Sequence, residues 1–221
     1  MQKEKVTIVE KILNANDQFA ADNMQVFDDH KILAINIMAS PGSGKTSLIL
    51  NTIDRIANQY TLAVIEGDTA PVTIDSDKVY KKGIPAVQIN TGGDCHLDAL
   101  MVRKGMVELD LENLDLVIIE NVGNLICPAA FNLGTHFNVV VASVTEGDDK
   151  PYKYPNIYRG IQALALNKTD LLPYVDFDME YFCNGIKALN NDVDIFPLSC
   201  KTGEGIQPWI EWLTGKIESR S

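Results

Sequence analysis

Apolar positions along the chain follow two kinds of pattern. Seven short segments are apolar almost throughout: residues 32–38, 61–68, 86–90, 115–120, 137–144, 161–166 and 194–198. Runs of this length without alternation read as strands buried on both faces. Helical spacing occupies residues 47–53, 97–108, part of 176–190 and 206–217. Over about residues 4–25, Ile8, Ile12, Ala15 and Phe19 recur on one helix face. Val9 and Leu13 widen that face, while Glu10, Asn14 and Asp17 stay polar. This predicts an amphipathic helix packed on the domain. Strands alternating with helices predict an α/β fold, a mainly parallel central sheet with helices on both faces. At 221 residues the chain suits a single domain, 1–221, with a sizeable core. Ligands in such sheets bind beyond the carboxyl ends of the strands.

The segment Ala39-Ser40-Pro41-Gly42-Ser43-Gly44-Lys45-Thr46 joins the first strand to the first central helix. Strand, glycine-rich turn, then Gly-Lys-Thr is a phosphate-binding loop of the P-loop NTPase kind. Backbone N–H groups of Gly42, Ser43, Gly44 and Lys45 line an anion nest, and the following helix, with Ser47 in its first turn, adds its positive end. Lys45 reaches the terminal phosphates, and the Thr46 hydroxyl suits Mg²⁺. The usual first glycine is Ala39 here, a small residue at the exit from the strand.

Asn167-Lys168-Thr169-Asp170 follows the sixth strand. A carboxylate at Asp170 accepts hydrogen bonds from N1–H and the 2-amino group of guanine, a pair that adenine does not offer. GTP is thus selected over ATP, with Asn167 bracing the loop and Lys168 lying along the base. Ser199-Cys200-Lys201 follows the last strand and resembles the Ser-Ala-Lys loop of GTPases, with Cys in place of Ala. Mg²⁺ needs carboxylates, and Asp68, Asp75 and Glu120 stand at or just beyond strand ends. Glu120 occupies the position of a Walker B acid; Asp68 or Asp75 binds the metal or orients the attacking water. Asp77 is a competing surface charge. Lys150 and Lys153, in the loop 148–155, belong to the same edge, as a contact to phosphate or to a partner subunit.

Cys95-His96 follows the third strand and Cys127 the fourth. Thiolate and imidazole suit Zn²⁺ and Ni²⁺. Spacing alone equally allows two small buried cysteines and a capping histidine. Cys183 and Cys200 have no histidine nearby in sequence and read as structural thiols. His136 precedes the fifth strand, at the opposite edge of the sheet.

A formal net charge of −11 disfavours a nucleic-acid footprint, which needs a basic face. No apolar run approaches the roughly 18 residues of a membrane span, and Met-Gln-Lys-Glu-Lys is followed by no long apolar core. A cytoplasmic location is the expectation, where four cysteines are reduced thiols or metal ligands rather than disulfides.

Together these residues resemble the hydrogenase nickel-insertion GTPases, the hydrogenase maturation factor B family of SIMIBI-class P-loop GTPases. The resemblance is carried by Ser40 to Ser47, Glu66-Gly-Asp68, Thr91-Gly-Gly-Asp-Cys-His-Leu97, Glu120-Asn-Val-Gly-Asn-Leu125 with Cys127-Pro128, Thr145-Glu-Gly-Asp148 with Lys153-Tyr-Pro155, and Asn167 to Asp170. The urease nickel-insertion GTPases, the nearest alternative, lack the combination of Cys-His loop and Glu-Asn-Val-Gly-Asn-Leu segment. The resemblance implies a GTP-favoured homodimer with a Ni²⁺ or Zn²⁺ site of Cys95, His96 and Cys127 at the subunit interface. It also implies nickel delivery to the [NiFe]-hydrogenase large subunit with a small zinc-binding accessory protein. Some members hold further nickel on an N-terminal Cys- or His-rich stretch; residues 1–30 here have no Cys and only His30. Two other classes remain as alternatives: a P-loop small-molecule kinase, for which no Arg-bearing lid is evident, and a nucleotide-binding scaffold with structural zinc.

Overall fold

The computed structural model describes residues 2–69 and 74–220, without the side chains of residues 2–14 and 74–75. Asp75, and the face drawn through Ile8, Val9, Ile12 and Leu13, therefore lie outside the described side chains.

Seven strands form one parallel sheet in the order β3-β2-β4-β1-β5-β6-β7. They are β1 (Leu33–Ala39), β2 (Leu62–Asp68), β3 (Ala86–Asn90), β4 (Leu116–Glu120), β5 (Phe137–Ser143), β6 (Ala163–Asn167) and β7 (Asp194–Pro197). The helices are α1 (Gln2–Asp29), α2 (Lys45–Ile56), α3 (Ile74–Tyr80), α4 (Ala99–Val107), α5 (Lys150–Lys153), α6 (Pro155–Arg159), α7 (Met179–Leu189) and α8 (Ile206–Glu218). The chain leaves β1 toward β2 and β3 on one side, and fills the other side with β5, β6 and β7. The strand order thus reverses at β1, and the turn after β1 lies at the switch point where such sheets take ligands.

Two-sided burial explains the apolar runs. Leu33, Ile35, Ile37 and Ala39 of β1 join Leu48, Ile49 and Ile53 of α2 and Trp209 and Leu213 of α8 in one core. The opposite face of β1 is divided. Ala34 meets Phe27 of α1 and Val102 and Met106 of α4. Met38 meets Ile157 and Tyr158 of α6 and Phe182 and Ile186 of α7. Between them sits a polar residue, Asn36, only 1% exposed. Across the first core, Trp209 Nε1 donates to Thr52 Oγ1 of α2 at 2.9 Å. Trp209 and Trp212 stack with ring centroids 5.4 Å apart.

Element ends differ from the periodicity where caps intervene. Asp98 accepts a hydrogen bond from Met101 N–H at 2.7 Å, so α4 starts at Ala99 rather than at 97. Ser143 and Glu146 form a capping box that ends β5 before Val144. The stretch 148–155, read as a loop, holds α5 and α6. Each has proline in its first turn, where the missing N–H is no loss. Helix α3 has no counterpart among the predicted elements. The N-terminal helix runs to Asp29 rather than ending near 25.

Candidate nucleotide and metal sites

The turn between β1 and α2 is shaped by two glycines. Gly42 has φ 78° and Gly44 φ 107°, backbone that residues with a Cβ rarely adopt. Ala39, in contrast, is the last residue of β1 and fully buried, so a methyl group fits there. No side chain caps α2 at Gly44, which leaves the first-turn amides for an anion.

The segment after β6 clamps this turn. Asn167 Nδ2 donates to the Ser43 carbonyl at 3.0 Å, and Lys168 Nζ to the Gly42 carbonyl at 2.8 Å. Asn167 Oδ1 accepts from the backbone N–H groups of Lys168 and Cys200, at 2.7 and 3.0 Å. One amide thus holds three loops in register. The Ser199 hydroxyl, fully buried, donates to Asp170 Oδ1 at 2.6 Å. A cavity of about 290 Å³ opens here, lined by Gly42, Gly44, Ser47, Asn167, Lys168, Asp170, Leu171, Cys200 and Lys201. Burial pushes the Cys200 thiol up to about 11, although Arg55 pulls the other way. Burial also raises the Cys183 thiol.

On the other side of Lys45 a second cavity of about 300 Å³ is lined by Pro41, Lys45, Glu66, Asp68, Glu120 and Cys95, among others. Glu120 Oε1 accepts from Thr46 Oγ1 at 3.0 Å and stands 3.9 Å from Lys45 Nζ. Glu66 lies opposite Glu120 in the β2–β4 register, and each is 5% exposed. Oxygen donors of this kind fit Mg²⁺. Ser43 Oγ is within reach of the Ser40 carbonyl and of Glu146 Oε2, at 2.9 and 3.1 Å. Lys153 lines neither cavity: its ammonium pairs with Asp149 one turn back on an exposed surface.

Beside the second cavity, Cys95, His96 and Cys127 converge, with one ligand atom from each lying within 4.8 Å of the others. Cys95 Sγ and Cys127 Sγ are 2.8 Å apart, and this contact, followed by burial, raises the Cys127 thiol. His96 stacks on Phe131 at 3.9 Å between centroids, and its Nδ1 is buried with no hydrogen-bond partner among the described residues. A buried ring nitrogen left so is costly unless a ligand takes it. Together with two thiols, that donor set suits a borderline-soft cation.

Comparison with known proteins bears on what this edge of the sheet is. The family model described as CobW/HypB/UreG, nucleotide-binding domain, matches residues 33–197. The hydrogenase maturation factor HypB of Azotobacter vinelandii is 45% identical over 212 residues, 96% of this chain and 70% of that protein. The chain belongs to the HypB family of hydrogenase maturation factors. The HypB crystal structure from Archaeoglobus fulgidus superposes with a TM-score of 0.87 at 40% identity, covering 93% of this chain and 100% of that one. HypB from Helicobacter pylori in complex with nickel gives 0.88 at 35% identity, covering 93% and 96%. This chain thus brings together, at one end of its sheet, a P-loop, a carboxylate-lined hollow and a Cys-His-Cys cluster.

Three buried polar residues here were given no role of their own in the sequence reading. Glu66, near the end of β2, and Asn121 entered only as parts of resembling segments. The interruption of the apolar β1 run by Asn36 is visible in the sequence.

Proposed function

We propose that this protein is a GTP-hydrolysing metallochaperone that binds Ni²⁺ or Zn²⁺ and assists nickel insertion into [NiFe]-hydrogenase. The observation that carries the reading is that Cys95 lines the same cavity as Lys45 and Glu120. A thiol metal ligand and the groups that would meet the γ-phosphate are therefore neighbours.

The 290 Å³ cavity takes the nucleotide. Asp170, held by Ser199, accepts from the guanine edge, and the Gly42–Lys45 amides hold the phosphates. Thr46 and Glu120 would hold Mg²⁺, with Asp68 or Asp75 as the further carboxylate. That ion supplies charge neutralisation on the phosphates when bound. Lys45 and the loop amides stabilise the charge that grows on the γ-phosphoryl oxygens during in-line attack by water. Lys45 now lies toward Glu120 and would swing to the phosphates as they enter. Cys95, His96 and Cys127 bind the cargo metal. Three ligands per chain fall short of tetrahedral closure, which favours a GTP-promoted homodimer that completes the site across a two-fold axis. The partners of such a dimer are a small zinc-binding hydrogenase accessory protein and the hydrogenase large subunit.

Phosphate release from GTP and from ATP, together with nickel and zinc stoichiometry with and without nucleotide, tests the reading. Guanine-selective hydrolysis with nucleotide-dependent metal binding is expected. Hydrolysis of ATP in preference to GTP, or metal binding that survives replacement of all three ligands, overturns it.

A further inference from the structure

Two polypeptide routes lead from the phosphate side to the metal cluster. One is covalent, from Glu120 along the loop to Cys127. The other is a side chain. Asn121 follows Glu120 directly, and its backbone N–H donates to the Ile37 carbonyl at 2.9 Å. Its side chain is fully buried. Oδ1 accepts from the N–H of Leu97 at 3.1 Å and of Val122 at 2.9 Å. Leu97 is the residue after His96. Nδ2 donates to Asn36 Oδ1 at 3.2 Å, and Asn36 Nδ2 in turn donates to Asn138 Oδ1 at 3.0 Å.

We propose that Asn121 is the positioning residue that ties the place of Glu120 to that of the Cys95–His96 loop, and so transmits nucleotide state to nickel affinity. The inference rests on the functional reading above and names the part of the fold that performs its coupling.

The surroundings leave little slack on either side of this amide. On the phosphate side, Gly123 packs on the P-loop: a Cβ there would meet Pro41 at 3.1 Å. On the metal side, Leu97 is fully buried against Gly67, where a Cβ would stand 2.6 Å from Leu97 Cγ. Movement of residues 120–123 on phosphate entry therefore either carries Leu97 along or breaks a buried hydrogen bond. Leaving a buried amide N–H without its partner is costly, so the concerted shift is favoured. An alanine at 121 offers no acceptor to Leu97, which uncouples the two loops. By linkage the same bond makes bound metal bias the nucleotide affinity by an equal factor.

The test compares Ni²⁺ affinity, from thiolate-to-nickel absorbance, in the GDP state and with a non-hydrolysable GTP analogue. The parent protein is expected to show a ratio between the two states within the range of about 5- to 150-fold. Asn121→Ala should bring that ratio to near one, while Kd for GDP without metal stays within about threefold. Asn121→Asp keeps both acceptor bonds and should restore most of the ratio, which a general loss of stability would not allow. An Asn121→Ala protein with the parental ratio overturns the role of Asn121 alone. A parental ratio of one overturns the coupling reading and this inference with it. Amide hydrogen exchange on the unmutated protein provides a second measurement if the variants do not fold. Leu97 protection should change between the two nucleotide states, and identical protection overturns the proposal.

Discussion

A methyl group added at Gly44 would stand 2.3 Å from Nδ2 of Asn167. The glycine is needed twice there, for its φ of 107° and for the close approach of the clamp after β6. Gly44→Ala is expected to strain the turn by roughly 1–2 kcal/mol and to push Asn167 off the Ser43 carbonyl. Nucleotide affinity, read by fluorescence titration with a labelled GDP, should fall about tenfold or more. Removing the obstructing amide in Gly44→Ala/Asn167→Ala should not restore it, because the Ser43, Lys168 and Cys200 contacts go with it.

Base selection is predicted to rest on Asp170 and on the hydroxyl behind it. Asp170→Asn should weaken guanine nucleotides by roughly tenfold to a hundredfold and admit xanthine nucleotides, which keep N1–H but carry a carbonyl acceptor at position 2 in place of the amino donor. Ser199→Ala leaves the carboxylate free to rotate and should give a smaller loss of the same kind without any gain for xanthine. Competition titrations with GDP and XDP separate the two, and unchanged guanine affinity in Asp170→Asn would sink the assignment.

For Lys45, hydrolysis and folding should separate. The loop backbone, not this side chain, shapes the turn, so Lys45→Ala is expected to keep its melting temperature and lose GTP turnover. Phosphate release at the parental rate would show that the phosphates bind elsewhere.

Cys127→Ala removes one of two thiols from a three-ligand set. Metal affinity should fall by orders of magnitude in either nucleotide state, as measured with a competing chelator, while GDP affinity changes far less. Retention of full metal stoichiometry and affinity would remove the site.

Acid sensitivity is expected to come partly from the far edge of the sheet. Burial holds the His136 imidazole below its ordinary value, against the pull of Asp28. Nδ1 accepts from the Ala34 N–H at 2.9 Å, and Nε2 faces Asp28 Oδ1 at 3.1 Å. The unfolded chain therefore takes up this proton first. The contribution of His136 is complete above about pH 6.5 and falls as pH drops below it. Asp28 itself is held below the usual carboxylate range by its hydrogen bonds to Arg220 and then His136. Its share is present above the unfolded carboxylate value and is lost at still lower pH. Urea midpoints of the parent should fall between about pH 7.5 and 5.5, and His136→Gln should flatten that fall. An unchanged slope in the variant would place the acid sensitivity elsewhere.

The seven strands were legible because a sheet covered on both faces buries both sides of each strand and leaves apolar runs with few polar interruptions; their order, β3-β2-β4-β1-β5-β6-β7, was not, because it is set by long-range pairing. The glycine turn and Asn167–Asp170 were visible as short motifs because their residues are contiguous in sequence, and the structure brings the two segments together around one cavity. Helix α3 and the pair α5 and α6 were not. Prolines in the first turns start α5 and α6, and α3 is a seven-residue helix; none of the three is long enough to show an apolar stripe. Lys153 was assigned by its place beyond a strand end and by its motif to phosphate or to a partner subunit; within one chain its ammonium pairs with Asp149 one turn away, and a partner contact is not something a single chain displays. Asn121 shows a different limit. Its importance lies in which backbone N–H groups it reaches, and no spacing rule joins residue 121 to residue 97.

The packing of α8 on α2 has an optical consequence. The chain has two tryptophans, and they are the stacked pair Trp209 and Trp212, one of them bonded to Thr52 in the helix that begins at Lys45. Both emitters thus stand behind the phosphate turn, on the face of the sheet opposite α1 and α4. Ultraviolet emission is therefore expected to respond to movement of α2 through Trp209, and of β5 and β7 through Trp212. A change that follows metal addition alone would record a disturbance that has crossed the sheet.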